Sequence, residues 1–373
     1  MKLLMYDTAY VQSNRNKFNK QDIDDWVDLY DKGFVHNYTS DNDRTGSIIV
    51  PFKTYVPDDC KIPEFISSNI TYEEAALARA RDIVTISNQT GKKIYLLYSG
   101  GIDSSTVLTS FINLLGVTEA AKRLTIMLSN ESTIENPWMW ERFIRPHFKI
   151  INSKNFDLTS LDVNVIYVNG ELNDQLFGAT GPFKIGVKLS DKLKTPMEDM
   201  IVDEEFLHSA LDLIGMTKTA NEKWTASFMK LMESCPVKDQ SFVTLAWWYG
   251  FTCKWINVKY RAFMFNNVNT DTCMIPEAIV RNNIAFFDSA EFQLWAMNNK
   301  EPKHLGSFES FKYTAKKYVA ELVGPEYMEK LKKLSFDKVL AMKKRTLAFD
   351  SNFVLHNNVS LNDIYLADND FNR

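Results

Sequence analysis

Cysteine is scarce in this 373-residue chain: Cys60, Cys235, Cys253 and Cys273 form no CxxC pair. That spacing indicates neither a zinc site nor a disulfide framework. Long apolar runs are missing as well. No stretch approaches the roughly 18 uninterrupted apolar residues of a membrane span. The opening Met1-Lys2-Leu3-Leu4-Met5-Tyr6-Asp7 lacks the apolar core of a secretory leader. No membrane contact is expected, and the cytoplasm is the expected compartment. A net charge of −4 argues against a dedicated nucleic-acid binder, although local patches escape such a sum. There is no internal repeat and no low-complexity segment.

What is present is the composition of an ordinary folded protein, 45% hydrophobic and 24% charged, ample for a real core. The length suits two domains or one elaborated domain.

The most informative stretch is Ile94–Ser105, Ile-Tyr-Leu-Leu-Tyr-Ser-Gly-Gly-Ile-Asp-Ser-Ser. An apolar run of β-formers stops at Ser99, and a helical pattern (Val107, Leu108, Phe111, Leu114, Leu115) begins at once. A buried strand therefore feeds a helix through a tight loop. Gly100 and Gly101 let the backbone approach an anion and allow positive φ. Ser99, Ser104 and Ser105 add hydroxyl donors, and the helix start supplies N–H groups and the positive dipole end. Asp103 would repel phosphate unless a divalent cation sits between them, so it reads as a Mg²⁺ ligand, direct or through water. The alternative is a Gly/Ser turn with an acidic helix cap. Neither a Walker A motif nor Gly-x-Gly-x-x-Gly is present.

Ser-Gly-Gly-x-Asp-Ser resembles the pyrophosphate loop of the ATP pyrophosphatases, enzymes that cleave ATP between the α and β phosphates. The resemblance implies a parallel, doubly wound α/β fold with ATP held by Leu97, Ser99, Gly100, Gly101, Asp103, Ser104 and Ser105. The members that thiolate RNA commonly need clustered or catalytic cysteines, and none is recognisable here.

Around that loop the pattern alternates. A helix is expected over Asn69–Asn88, opened by a capping box at Thr71-Tyr72-Glu73-Glu74. Strands follow at Arg123–Leu128, Phe148–Ile151 and Val163–Val168, with a helix at Ile134–Phe143 that has Asn136-Pro137 at its start. Strands alternating with helices mean a parallel sheet with helices on both faces. The site then lies at the carboxyl ends of the strands, where Ser99 and Asn169 share one edge.

A second strand-to-helix turn, Asn169-Gly170-Glu171-Leu172-Asn173-Asp174-Gln175-Leu176-Phe177-Gly178, reads by itself as an acidic turn or as a helix cap. It is similar to the Gly-Glu-Gly-x-Asp-Glu-Leu-Phe-Gly of the asparagine synthetase family. By that resemblance Glu171 serves the reacting centre and Asp174 joins Asp103 on the metal. Leu172 stands for a Gly and Gln175 for a Glu. Asn283–Asp288 looks like the family's Arg-Val-Pro-Phe-Leu-Asp, which sets Arg281 where a Glu near the substrate is usual. Ser310–Lys316 resembles Glu-Lys-x-x-x-Arg, making Lys312 the candidate for neutralising the leaving pyrophosphate, with a plain surface lysine as the alternative.

The resemblance spans roughly residues 71–330. It implies an ATP-dependent, AMP- and pyrophosphate-forming ligase that joins a small carboxylate to ammonia or an amine. The expected division is a small N-terminal region over 1–70 and a synthetase-like domain over 71–373, with its α/β core at 92–200 and a mostly helical part at 201–373. Position 2 is Lys, and the stretch before residue 71 is too short for a glutaminase domain, so glutamine hydrolysis is not expected. Within 1–70, a helix over Asp22–Tyr30 and a strand over Ser47–Val56 are expected. Past residue 200, the Phe242, Leu245, Trp247, Trp248, Phe251 and Trp255 pattern reads as core. Seven basic residues between Lys330 and Arg345 read as a solvated face or as a surface for a nucleotide or nucleic acid.

Overall fold

The structure, a computed structural model, describes residues 2–6, 24, 42–48, 54–153, 161–178, 180–260, 263, 274–275, 277–299, 311–329, 346–350 and 355–357. Its centre is an all-parallel sheet of five strands: β2 (Lys93–Leu97), β3 (Leu124–Leu128), β4 (Lys149–Asn152), β5 (Val165–Asn169) and β7 (Asn283–Ala285), in the order β4-β3-β2-β5-β7. Alternation within the strands sends Ile94, Leu96, Ile126, Ile166 and Val168 to the main core. Met127, Val165 and Tyr167 go to the opposite face, with Tyr95 and Leu97 beside them.

β1 (Lys2–Tyr6), β6 (Met274–Ile275), β8 (Thr346–Phe349) and β9 (Leu355–Asn357) form a separate antiparallel sheet in the order β1-β8-β9-β6. None of these four strands is expected from the sequence pattern. β6, β8 and β9 are short strands within a part that is otherwise mostly helical, as expected.

Helix α1 (Tyr72–Thr90) starts with the expected capping box: the Glu74 N–H donates to Thr71 Oγ1 at 3.1 Å, and the Thr71 N–H donates to Glu74 Oε2 at 2.8 Å. Gly91, at φ 67°, ends it. The helix α2 (Ile102–Leu115) follows β2, and α3 (Asn173–Phe177) follows β5. The helix expected at Ile134–Phe143 does start at Asn136-Pro137, with Asn136 Oδ1 accepting from the Met139 N–H at 3.1 Å, while Ile134 and Glu135 belong to a separate preceding segment, Asn130–Glu135. Proline lacks the N–H that a continuous helix would use there.

The chain then runs through α4 (Thr180–Leu193), α5 (Glu204–Leu213), α6 (Lys218–Glu233), α7 (Phe242–Cys253), α8 (Trp255–Tyr260), α9 (Ala290–Asn298) and α10 (Tyr313–Val323). Every residue of α7 is buried, as an all-round apolar helix requires, and the Trp/Phe pattern is core. Its indoles keep polar partners: Trp247 Nε1 donates to Leu176 O at the end of α3, and Trp248 Nε1 to Ser234 Oγ, both at 3.0 Å.

Among the described residues no helix is long and apolar enough to cross a membrane. Cys60, Cys235 and Cys253 are buried. The expected helix at Asp22–Tyr30 (apart from Asp24) and the basic cluster at 330–345 lie outside the described residues. Of the expected strand at Ser47–Val56, the described residues belong to no named strand; 49–53 lie outside them.

Candidate functional site

Strand order places the site. From β2 the sheet grows through β3 and β4 in one direction, and the chain then crosses back to lay β5 on the other side of β2. β2 and β5 therefore flank this switch in direction, and ligands of open α/β sheets bind at the carboxyl edge beside such a switch. Pairing of Leu96 with Val168 brings both strands to that edge in step.

The first loop is shaped by Gly100, at φ 78°, where an added Cβ would collide with Ser132 O and come within 2.7 Å of Glu135 Cβ. Gly101 caps α2 without a side-chain hydrogen bond, so the N–H groups of the first turn keep their capacity for an anion. Ser99 Oγ and Ser104 Oγ touch at 3.2 Å, and the Gly101 N–H leans toward Ser99 Oγ at 3.4 Å. Ser105 is turned inward: its fully buried hydroxyl meets Asn136 Nδ2 at 3.0 Å, Tyr98 Oη at 3.3 Å and Gly100 O at 3.4 Å. It fixes the loop from behind. Leu97 ends β2 on the opposite face of the sheet, beside Met127 and Tyr167.

The second loop lies directly against the first. A Cβ on Gly170 would stand 2.9 Å from Ser104 N and 3.0 Å from the Asp103 carbonyl carbon. Gly170→Ala is therefore expected to wedge the loops apart and to cost about 1–3 kcal/mol, seen as a lower midpoint of urea unfolding. Leu172, where the resembled motif carries Gly, still adopts φ 81° and buries its side chain at 1% exposure. The left-handed turn persists and Leu carries the strain. Of the three non-glycine residues at positive φ among those described, Leu172 and Lys312 both belong to this site, and such strain concentrates where function demands a fixed geometry.

Three distant segments meet here. Lys312 Nζ lies 2.6 Å from Asp103 Oδ1 and 2.5 Å from Asp174 Oδ1. Lys312 is buried, Asp103 is largely covered and Asp174 is half exposed. Burial is the largest influence on the lysine and opposes its charge. The attraction and hydrogen bonds of Asp103 and Asp174 nevertheless push its pKa up to about 12, so it stays an ammonium. Glu171, three residues before Asp174 in the second loop, is half-buried, and its N–H donates to Asn169 Oδ1 at 3.0 Å.

Two residues that the sequence reading passed over complete the arrangement. Asn173 Nδ2 donates to Asp103 Oδ1 at 2.7 Å, and Asn173 Oδ1 accepts from Tyr72 Oη at 3.0 Å. The Tyr72 ring packs on Trp295 and Phe177, at 4.9 and 5.8 Å between centroids. The start of α1 thus anchors a carboxylate at the start of α2 through an amide on α3. Asn173 occupies the variable position of the second motif, and nothing local marks Tyr72 beyond its place next to a helix cap.

Arg281 is not at this site. It precedes β7 at the strand's amino end, exposed and paired with Glu277 Oε1 at 2.6–2.9 Å. The part of the Asn283–Asp288 motif that reaches the carboxyl edge is Phe286-Phe287-Asp288: the Phe286 N–H donates to Asn169 O at 2.9 Å. Asp288 is committed to Lys259 Nζ at 2.6 Å and Trp255 Nε1 at 3.1 Å. Gln175, in place of the motif's Glu, is buried with Oε1 lacking a hydrogen-bond partner.

The donor set can be tested against Mg²⁺. Among the described residues no group of three or more His, Cys, Asp or Glu side chains converges. Magnesium suits one or two carboxylates completed by phosphate oxygens and water. Asp103 and Asp174 supply two hard oxygens that already converge on one cationic atom, so the residues fit the ion. No family model, curated protein or solved structure matches the chain.

Proposed function

We propose that this protein is an ATP-dependent C–N ligase of the asparagine synthetase-like kind, built on a doubly wound pyrophosphate-loop domain. It adenylates a small carboxylate, releases pyrophosphate, and passes the acyl group to ammonia or an amine. The observation that carries the reading is the meeting of Asp103, Asp174 and Lys312 at the carboxyl edge of the sheet, beside an uncapped helix start.

In this reading the first-turn N–H groups of α2, with Ser99 and Ser104, hold the β and γ phosphates. Lys312 follows the charge that develops on the departing pyrophosphate. Asp103 and Asp174 hold Mg²⁺, which when bound neutralises polyphosphate charge. Asn173 keeps Asp103 pointed at the phosphates. Glu171, half-buried next to the reacting centre, orients the incoming amine or accepts its proton. Gly100 lets the first loop pack against Ser132 and Glu135, and Gly170 keeps the two loops in contact, so that nucleophile and α-phosphate are held in line.

The test is incubation of the protein with ATP and Mg²⁺ plus pools of carboxylates with ammonia or amines, resolving AMP and pyrophosphate from ADP and phosphate. AMP and pyrophosphate that appear only with a carboxylate pool are expected. ADP as the product overturns the proposal. Turnover restricted to nucleotide or nucleic-acid pools selects a pyrophosphatase that modifies those acceptors. ATP binding without turnover in any pool selects a non-catalytic nucleotide-binding relative, the reading that the uncharged Gln175 favours.

A further inference from the structure

The two carboxylates assigned to the metal already have a counter-ion. Lys312 Nζ bridges Asp103 Oδ1 and Asp174 Oδ1 at hydrogen-bonding distance from each, and its side chain is only 4% exposed. The lysine's root is held in place. Its backbone is fixed at φ 54° as the residue that opens α10, and α10 is anchored by buried Ala315, Tyr318, Val319 and Val323. Asp103 is fixed as well, because the same Oδ1 accepts from the buried Asn173 amide. A divalent ion entering this pair would lie beside the ammonium, and like charges a few ångströms apart in a half-buried site repel strongly.

Resting on the metal-and-polyphosphate reading above, we propose that Lys312 and a divalent cation compete for Asp103 and Asp174, so that the metal enters only together with a polyphosphate. The ammonium has three N–H donors on a flexible stem. Phosphate oxygens at the start of α2 accept those donors, the head pivots onto them, and the carboxylates pass to the metal. The added negative charge makes two neighbouring cations tolerable. The species the site takes is therefore a metal-chelated polyphosphate, and metal alone is turned away. Because binding linkage is reciprocal, removing the ammonium opens the carboxylate pair to free metal.

The experiment measures Mn²⁺ uptake by electron paramagnetic resonance on the full chain, wild type and Lys312→Met, with and without inorganic pyrophosphate. Circular dichroism checks that both are folded. Without pyrophosphate, K312M is expected to bind Mn²⁺ at least tenfold more tightly than wild type. Wild type is expected to take up Mn²⁺ only when pyrophosphate is present. Equal affinity of the two proteins for Mn²⁺ alone overturns the competition while leaving the metal reading intact. No uptake by either protein under any condition overturns the metal reading and the inference with it.

Should K312M fail to fold, acylation of Lys312 in wild type, followed by peptide mass spectrometry, decides instead. Millimolar Mn²⁺ alone is expected to leave the labelling of Lys312 unchanged. A several-fold rise would mean that metal displaces the ammonium unaided, and would overturn the proposal.

Discussion

Asp103→Asn is expected to lower AMP- and pyrophosphate-forming turnover by roughly 10³-fold, the loss typical when a charged group is removed from a preorganised electrostatic site. The substitution keeps the shape of the side chain and an oxygen able to accept from Asn173 Nδ2, which now reaches it across 2.7 Å. It deletes the charge that Lys312 and the metal both require. Lys312, buried and 2.6 Å away, is left with Asp174 as its partner in the triad. Asp174→Asn is expected to cost less, about tenfold, because that carboxylate is half exposed and water screens and partly replaces it. The measurement is kcat/KM at saturating Mg²⁺ for both variants, with circular dichroism to confirm the fold. If D103N retains a tenth or more of the wild-type rate, Asp103 is not at the reacting centre. If D174N falls as far as D103N, exposure is a poor guide to which carboxylate holds the metal.

The two loops were legible in the chain because each combines an abrupt end of a β-forming run with glycine at the turn, and both signals act within a dozen residues. Their meeting was legible for a further reason: parallel strands joined by helices must present their carboxyl ends on one edge. The parts that escaped are non-local or too short. β7 has three residues, which is not enough for alternation to show, and it joins the sheet only because β5 offers an open edge. β1 pairs with β8, and no periodicity links segments that far apart along the chain. The resemblance of Ser310–Lys316 to Glu-Lys-x-x-x-Arg offered Lys312 as a phosphate ligand, yet a local motif could not show that Asp103 and Asp174 pair with it. Arg281 shows the opposite failure. A motif aligned by residue type placed it at the acceptor site, whereas the direction of β7 puts it at the strand's amino end, beside Glu277.

The largest stability effect is expected at a residue that no motif marks. Arg44 is buried. Its Nη1 donates to Cys60 O at 3.0 Å and to Gln293 Oε1 at 2.9 Å, and its Nη2 donates to Phe251 O at 2.8 Å. The guanidinium lies over the Trp255 ring at 4.3 Å and the Phe251 ring at 4.9 Å. Burial lowers its pKa to about 10, still far enough above neutrality to keep it charged. One planar group thereby ties residues 42–48 and the Asp58–Cys60 turn to the end of α7 and to α9. Arg44→Met preserves the apolar stem but strips donors from two buried backbone carbonyls and an amide, each worth about 1–3 kcal/mol when left unpaired. Because Met recovers part of this by packing between the rings, the net loss is expected at about 3–5 kcal/mol, measured by urea denaturation. Arg44→Lys is expected to recover less than half, since a single ammonium cannot span three acceptors in the guanidinium plane and stack on two rings at once. A loss below about 1 kcal/mol for R44M would mean that the segment is held by its apolar contacts, with the guanidinium merely accommodated. Equal stability of R44K and wild type would mean that charge alone, without the planar fork, holds the segment in place.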